Sequence, residues 1–422
     1  MIEGTPVLLG GRRPRVVIVG AGFGGLTAAR ALRYVPVDVL LVDVNNYHLF
    51  TPLLYQVASS LLDPSEVAQP VRALVRPLHN CEFKMARVTG ADIRAQVLHT
   101  DAGDEPYDYL VLATGSESNF FGNQSLERHA TGLKQLPEGL AIRNWVISCF
   151  ERARWSADPA ERQRLLTFAV VGGGPTGVEY AGALSELVRL VLRKDYRNLD
   201  VSQVRVVLLE GASHLLGAFE PRLRDAAARS LRNKGVDVWF DALVKEVGDG
   251  GLELRDGRLL EAGTVIWTAG VRATDLGHQL GLEVSRSGRL RVGPTLQVPG
   301  HPEVFAIGDL ASFEQAGQEL PMLIPVAMQQ AKHVGRAVRD LMTGKAVRPF
   351  AYRDPGIMAT IGRNSGVAQL GPIRLSGFLG WLMWLGVHLI NIVTFRNRVA
   401  VLLNWIWDYF FYDRPVRIIV RS

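Results

Sequence analysis

Cysteine is nearly absent: the 422 residues contain two, Cys81 and Cys149. They stand far apart with no CxxC spacing, which excludes a dithiol pair close in sequence and a cysteine-based metal cluster. Packed, reduced thiols are the expectation, as in a reducing compartment, and no metal site is expected. Repeats and low-complexity tracts are also missing, and charged residues make up 21% of the chain, so it reads as folded rather than disordered or fibrous. Its length exceeds one ordinary domain and implies two or three. Val7 to Leu9 is the only apolar run ahead of Arg12, Arg13 and Arg15. It is too short for the core of a secretory signal, so the chain is expected to stay on the cytoplasmic side.

Lysine and glutamate are absent from residue 351 onward. That segment carries eight arginines against three aspartates, so +5 of the chain's net +6 lies there. Four of the eight tryptophans, Trp381, Trp384, Trp405 and Trp407, share it. Arginine and tryptophan gathered at one end point to a membrane surface and away from nucleic acid.

What the chain does have is glycine in two telling places. Arg15 to Gly20, RVVIVG, reads as a short buried strand that runs into Gly20-Ala21-Gly22-Phe23-Gly24-Gly25 and a helix to about Leu32. In this GxGxxG the first glycine makes the tight turn, Gly22 lets the backbone approach a pyrophosphate, and Gly25 lets helix and strand pack closely. The free N–H groups at the helix N-terminus suit phosphate. The next strand, Val37 to Val42, ends in Asp43, placed to accept from a ribose hydroxyl.

The unit then repeats. Phe168 to Val171 leads into Gly172-Gly173-Gly174-Pro175-Thr176-Gly177, a helix to about Leu192, and a strand Val204 to Leu209 that ends in Glu210. A carboxylate there accepts from a 2'-hydroxyl and repels a 2'-phosphate, and no arginine follows closely, so NADH is expected over NADPH. A late strand, Val304 to Ile307, also ends in Gly308-Asp309. Leu110 to Gly115 and Val265 to Gly270 each follow a nucleotide unit and end in a small-residue turn; they read as return strands between domains.

This nested order resembles the glutathione-reductase-like two-dinucleotide fold. The resemblance implies an α/β protein with two Rossmann-like domains, FAD in the first with Asp309 along its ribityl and phosphate portion, and NADH in the second. Hydride is then expected to pass from nicotinamide C4 to flavin N5, with positioning as the protein's main task. Disulfide reductases of this fold need a CxxxxC near the flavin, and sulfide:quinone reductases need active-site cysteines. This chain has neither, which leaves quinone, oxygen or another small acceptor.

The run Asn46-Tyr47-His48-Leu49-Phe50-Thr51-Pro52-Leu53-Leu54-Tyr55-Gln56-Val57-Ala58 narrows the choice. Together with Thr176-Gly177-Val178-Glu179, with VIWTAGV from Val265, and with Ala327-Met328-Gln329-Gln330-Ala331, it resembles the type II NADH:quinone oxidoreductases, the alternative NADH dehydrogenases. Motif order is kept over essentially the whole chain. The resemblance implies FAD contacts at Gly20, Ala21, Gly22, Phe23, Gly24, Gly25, Asp43, Thr51, Val88, Asp309, Ala327 and Met328. It implies NADH along Gly172, Gly174, Pro175, Thr176, Gly177, Glu179, Glu210 and Gly270, and a membrane quinone, ubiquinone or menaquinone, near Gln329. Catalytic roles fall on Glu179 and Gln329. One departure matters: many relatives carry AQxAxQ where this chain reads Ile324-Pro325-Val326-Ala327-Met328-Gln329, so Pro325 replaces the first glutamine and its contact does not transfer.

Four of these residues keep a second reading. Asp309 also suits a simple strand-end turn. Gln329 also suits a solvated helix position. Glu179 opens its helix, where the dipole favours a carboxylate whatever its function. His48 is either a proton donor to reduced quinone or a packing, backbone-bonding histidine.

Leu375 to Phe395 has no formally charged residue, is flanked by Arg374 and Arg396, and has the length of a transmembrane helix. At about 100° per residue, however, Ser376, Gly377, Gly380, His388, Asn391 and Thr394 gather on one side, which suits a helix lying in the interface. Val399 to Phe411 is too short to span. Residues 374–421 are therefore expected to attach the protein peripherally, as a monotopic anchor on the cytoplasmic face of the cell membrane; a dimerisation hairpin is the alternative. The expected division is 1–115 and 276–350 for FAD, 116–275 for NADH and 351–422 for attachment. The expected activity is respiratory NADH:quinone oxidoreduction without proton pumping, the alternatives being an NADH oxidase or diaphorase and an NADH-responsive regulatory flavoprotein.

Overall fold

The computed structural model describes residues 12–414 and 416–420, so Val7 to Leu9 and Arg421 lie outside the described residues. Two compact units emerge. One comprises the chain up to Leu49, Gln69–Glu117 and Arg272–Asp354; the other comprises Phe50–Ala68, Ser118–Val271 and the chain from Pro355. Sequence order alone assigns 50–68 to the first unit and sets 351–422 apart, whereas in the structure 50–68 and the chain from Pro355 group with the second unit.

The first unit is built on a six-stranded sheet in the order Gln297–Val298, His301–Ala306, Tyr109–Leu112, Arg15–Val19, Asp38–Asp43, Cys81–Met85. All neighbours are parallel except the Gln297–Val298 edge. Val16, Val17, Ile18 and Val19 are buried on both faces, the continuous apolar run that an inner parallel strand requires. The helix Phe23–Ala31 follows directly, and Ile324–Met342 packs along it. That approach depends on Gly335, where a Cβ would stand 2.5 Å from the Cβ of Ala31. Pro325 sits in the first turn of Ile324–Met342, where its missing N–H has no intrahelical partner to lose.

The second unit repeats the plan with a five-stranded parallel sheet, Thr131–Gly132, Thr264–Trp267, Thr167–Val171, Arg205–Leu209, Val236–Trp239. The helix Pro175–Glu186 continues through a wider turn at Leu187–Leu192, and this extension delays the acid Glu210 relative to its glycines. The expected return strands precede the points where the chain passes from one unit to the other, at Glu117 and Val271. Tyr109–Leu112 and Thr264–Trp267 each lie inside a sheet, directly beside the strand that carries the glycine loop.

After Pro355 come a three-stranded antiparallel sheet, Ile357–Thr360, Gly366–Leu370, Ile373–Ser376, and two helices, Gly377–Asn391 and Phe395–Phe411. The stretch Leu375 to Phe395 is thus not one helix. It begins as strand, and the helix stops before the β-branched run Ile392-Val393-Thr394, whose last residue caps the next helix by accepting from Asn397 N at 3.3 Å. Fifteen helical residues reach about 22 Å, short of a hydrocarbon core of about 30 Å. No helix among the described residues is long and apolar enough to cross a membrane.

These helices are inside out. Gly380, Trp384, Asn397, Trp405 and Asp408 are buried, while Phe378, Leu379, Leu382, Ile390, Leu403, Trp407 and Phe410 are each at least half exposed. Polar anchors hold the inner face to the second unit. Asn397 Nδ2 donates to Ser65 O and Glu66 O at 2.9 and 2.7 Å, and Trp405 Nε1 donates to Gln56 Oε1 at 2.8 Å. Asp408 pairs with Arg363 at 2.7 Å and with the buried Arg414 at 3.4 Å.

Candidate functional site

Each unit carries one glycine cradle, and the two match closely. Gly20 and Gly172 have φ of 104° and 109°, open only to glycine. A Cβ on Gly20 would lie 2.3 Å from Ala113 O, and one on Gly172 would lie 2.7 Å from Ala269 Cα, so each glycine turns against the end of the neighbouring inner strand. A Cβ on Gly25 would meet Gly20 O at 1.8 Å, and on Gly177 would meet Gly172 O at 1.9 Å. Around Gly22 and Gly174 there is open space to 4 Å. The middle glycines, at the N-caps of the two helices, thus leave room where a pyrophosphate would meet free N–H groups. The residues present fit two dinucleotides.

The residue after the first glycine is tied twice in both cradles. Ala21 N donates to Asp43 Oδ2 at 2.6 Å, and Gly173 N donates to Glu210 Oε2 at 2.6 Å. The second oxygens accept from Asn45 N and Ala212 N, both at 2.7 Å. Each acid therefore fixes its own loop and turn as well as facing the crevice. Burial raises the Asp43 carboxyl against these hydrogen bonds, which pull the other way.

On the carbonyl side the cradles diverge. Ala21 O accepts from His48 Nδ1–H at 2.9 Å, whereas Gly173 O accepts from the backbone N of Leu216 at 2.8 Å. His48 is buried, its ring edge-on to Phe23 at 4.9 Å, and burial lowers it to about 4. It is thus neutral, with Nε2 unpartnered among the described residues. The packing, backbone-bonding reading of His48 is the one this geometry matches.

The other residues implied for FAD sit as follows. Gly24 packs on Ile307, whose Cδ1 would lie 3.3 Å from a Cβ there, and Gly308 backs onto Ala327 at 3.2 Å by the same measure. Asp309 accepts from Ser116 Oγ, and Met328 follows Ala327 on the helix. The glycine loop, Asp43, Asp309 and Ala327 are therefore brought together within the first unit. Val88 lies in the strand Val88–Asp92 against that unit's core, and Thr51 belongs to the second unit in the short turn Thr51–Leu53.

Gln329 is engaged elsewhere. Its Nε2 donates to Arg353 O at 2.8 Å and its Oε1 accepts from Arg353 N at 3.1 Å, a complete backbone clamp. The buried glutamine is its neighbour Gln330, whose Oε1 accepts from Gly308 N at 2.6 Å. Sequence reasoning passed over Gln330, although it shares a helical stripe with Ala327, Ala331, Val334 and Val338.

Glu179 does not cap its helix. It lies in the second turn, 8% exposed, and both of its donors come from the chain beyond Pro355: Thr360 N at 3.2 Å and Trp384 Nε1 at 3.0 Å, each onto Oε1. Burial outweighs these bonds and pushes the carboxyl up to about 8, so it is protonated at neutral pH. Trp384, grouped from sequence with the tryptophans of a membrane surface, is instead buried, and its indole N–H donates to Glu179. The thiols are bystanders: Cys81 and Cys149 are unpaired, and burial pushes them up to about 12 and about 11, far from thiolate at neutral pH.

Comparison with known proteins bears on the whole chain. Residues 14–331 match the pyridine nucleotide-disulphide oxidoreductase family, and residues 355–412 match the NDH2 C-terminal domain. Two Mycobacterium tuberculosis proteins, type II NADH:quinone oxidoreductases Ndh and NdhA, are each 39% identical, over 93% and 96% of this chain and 88% of theirs. A probable NADH dehydrogenase of Dictyostelium discoideum is 31% identical over 93% of this chain and 88% of its own. In fold, the chain superposes on Plasmodium falciparum NDH2 in complex with NADH with a TM-score of 0.89, at 19% identity, over 97% of this chain and all of that one. The chain belongs to the type II NADH:quinone oxidoreductase family.

Proposed function

We propose that the protein oxidises NADH and passes the electrons through FAD to a quinone held in a membrane, with FAD in the first cradle and NADH in the second. The observation that carries the reading is the duplicated cradle, in which a loop N–H is bonded to an acid at 2.6 Å in each unit of one chain. Bound FAD supplies a redox group that takes two electrons from NADH and releases them to a quinone. The chain's own residues bind and orient. The helix N-termini face phosphates, Asp43 and Glu210 offer carboxylates to ribose hydroxyls, and Glu210 disfavours a 2'-phosphate. Glu179 keeps a proton at neutral pH in a water-poor position between two donors. A quinone bond to Gln329 would require its amide to leave Arg353, so none is assigned there.

The outward apolar faces of Gly377–Asn391 and Phe395–Phe411, with exposed Arg396 and exposed Trp407, support attachment to a membrane surface. Lipid is favoured over a second copy of the chain because arginine and tryptophan flank the apolar rows, the composition of a bilayer interface. On this reading the enzyme is peripheral and faces the cytoplasm, and its quinone enters from lipid. It contributes to respiration without moving protons itself.

The test uses the full-length flavoprotein on lipid vesicles. After reduction by NADH, flavin reoxidation by a long-chain quinone is compared with oxygen and with buffer. Quinone should be faster by orders of magnitude; a rate no greater than with oxygen rejects the acceptor. Leu403→Glu with Trp407→Glu should release the protein from vesicles while it stays folded, and retention would reject the anchor.

A further inference from the structure

Beside the second cradle, the turn Asn119–Gly122 concentrates two unfavourable features in one residue. Phe121 has φ 56°, a left-handed backbone that disfavours any residue with a Cβ, and its side chain is 66% exposed. The adjoining chain enforces this placement. Phe121 N donates to Asn119 Oδ1 at 2.8 Å, Asn119 N donates to Gly270 O at 3.1 Å, and Trp267 Nε1 donates to Asn119 O at 2.7 Å. Phe120 takes the inner place, partly buried against the core, while the Phe121 ring touches Trp267 only edge-on, centroids 6.4 Å apart, and keeps its face free.

The ring stands over Gly270: a Cβ on that glycine would lie 3.3 Å from Phe121 Cζ. Gly270 directly follows Ala269, against which Gly172 of the glycine loop turns. The exposed ring therefore marks the same sheet edge as the second fingerprint. Glycine at position 121 would relieve the backbone and remove the exposed apolar surface, at the cost of one edge-on contact with Trp267, so the fold by itself gains little from phenylalanine there. A residue kept against both costs at the rim of a nucleotide crevice is explained by what it touches when the crevice is filled.

We propose that Phe121 is a binding residue of the NADH site, its ring an apolar wall that packs against a flat ring of the dinucleotide over Gly270. The inference rests on the reading that NADH occupies the second cradle. It gives the loop after residue 118, which carries no fingerprint glycine, a share in nucleotide affinity. It also assigns the strain a purpose, since only the left-handed turn aims the ring outward over the crevice instead of into the core.

The test is F121G in the FAD-loaded full chain, read by single-turnover flavin reduction over a range of NADH concentrations, together with thermal melting. F121G should melt at or above the wild type while its Kd for NADH rises about three- to tenfold, the limiting reduction rate moving far less. F121Y, which keeps the flat face, should restore the lost affinity. An unchanged Kd in F121G overturns the proposal. A lower melting temperature in F121G also overturns it, because the ring would then be a structural support. Wild-type protein that NADH fails to reduce rejects the parent reading itself, and this inference with it.

Discussion

The two cradles share a backbone and differ in how the loop carbonyl is held. In the first unit a buried, neutral His48 closes the loop from inside; in the second an exposed chain, Gly211 to Ser213, leads to the backbone N–H of Leu216 that does the same. Both donors are buried, one a side chain and the other the backbone N–H of Leu216, so the contrast is between a side-chain and a backbone hold on the loop. Nearly identical glycine geometry thus goes with different carbonyl partners, which no glycine pattern contains.

The largest effects should come from breaking each cradle in turn. Gly25→Ala places a Cβ 1.8 Å from Gly20 O and should lower flavin content by more than about tenfold. Gly177→Ala makes the same clash in the second cradle and should leave flavin bound while NADH-driven reduction drops by about 100-fold or more. Flavin absorbance per protein and stopped-flow reduction separate the two; loss of flavin from Gly177→Ala would undo the assignment of nucleotides to cradles.

Glu210→Ala removes both the expected ribose acceptor and the partner of Gly173 N. The preference for NADH over NADPH should shrink by about tenfold or more in kcat/KM ratios. An unchanged preference would show that the second acid only holds its loop.

Next come the carbonyl partners. His48→Leu leaves Ala21 O without its donor and should loosen FAD by about tenfold, with Kd for NADH unchanged. The pH dependence has a definite sign. His48 takes a proton near 6.5 when unfolded but only near 4 when folded, so its contribution is present above 6.5 and lost as pH falls towards 4. Flavin release should steepen in that window in the wild type and flatten in His48→Gln.

The smallest effect concerns the helices behind the loops, where the first carries Thr27 at the position that Glu179 occupies in the second. Glu179 is raised from 4.5 to about 8, so the folded state holds a proton that the unfolded state has lost over that range. Its stabilising contribution is complete below 4.5 and declines as pH rises through 8. Relative to Glu179→Gln, wild-type melting should therefore fall between pH 5 and pH 8, and parallel melting curves would mean that the acid is solvated.

Much of this was legible beforehand because glycine is chosen by local geometry. Gly20, Gly25, Gly172 and Gly177 reveal a turn and a close approach within a few residues, and the acids after the next strands follow from parallel-sheet spacing. The inner position of Thr264–Trp267 was not legible, since a buried strand looks the same wherever it inserts. Nor was the break at Ile392-Val393-Thr394, because apolar content reports burial or lipid without reporting where a helix ends.

By itself the sequence determined the two glycine-rich strand–turn–helix units, the acids Asp43 and Glu210 at the ends of the next strands, the lack of a close cysteine pair and the apolar, arginine-flanked C-terminal segment. Those are properties of residue type at short range. Only the tertiary structure decided that Gln329 clamps Arg353 while Gln330 supports Gly308, that Glu179 meets Trp384 from a helix two hundred residues later, and that the apolar rows of the last two helices face outward. Such pairings depend on which faces of distant elements are pressed together, and packing is settled by the whole chain at once.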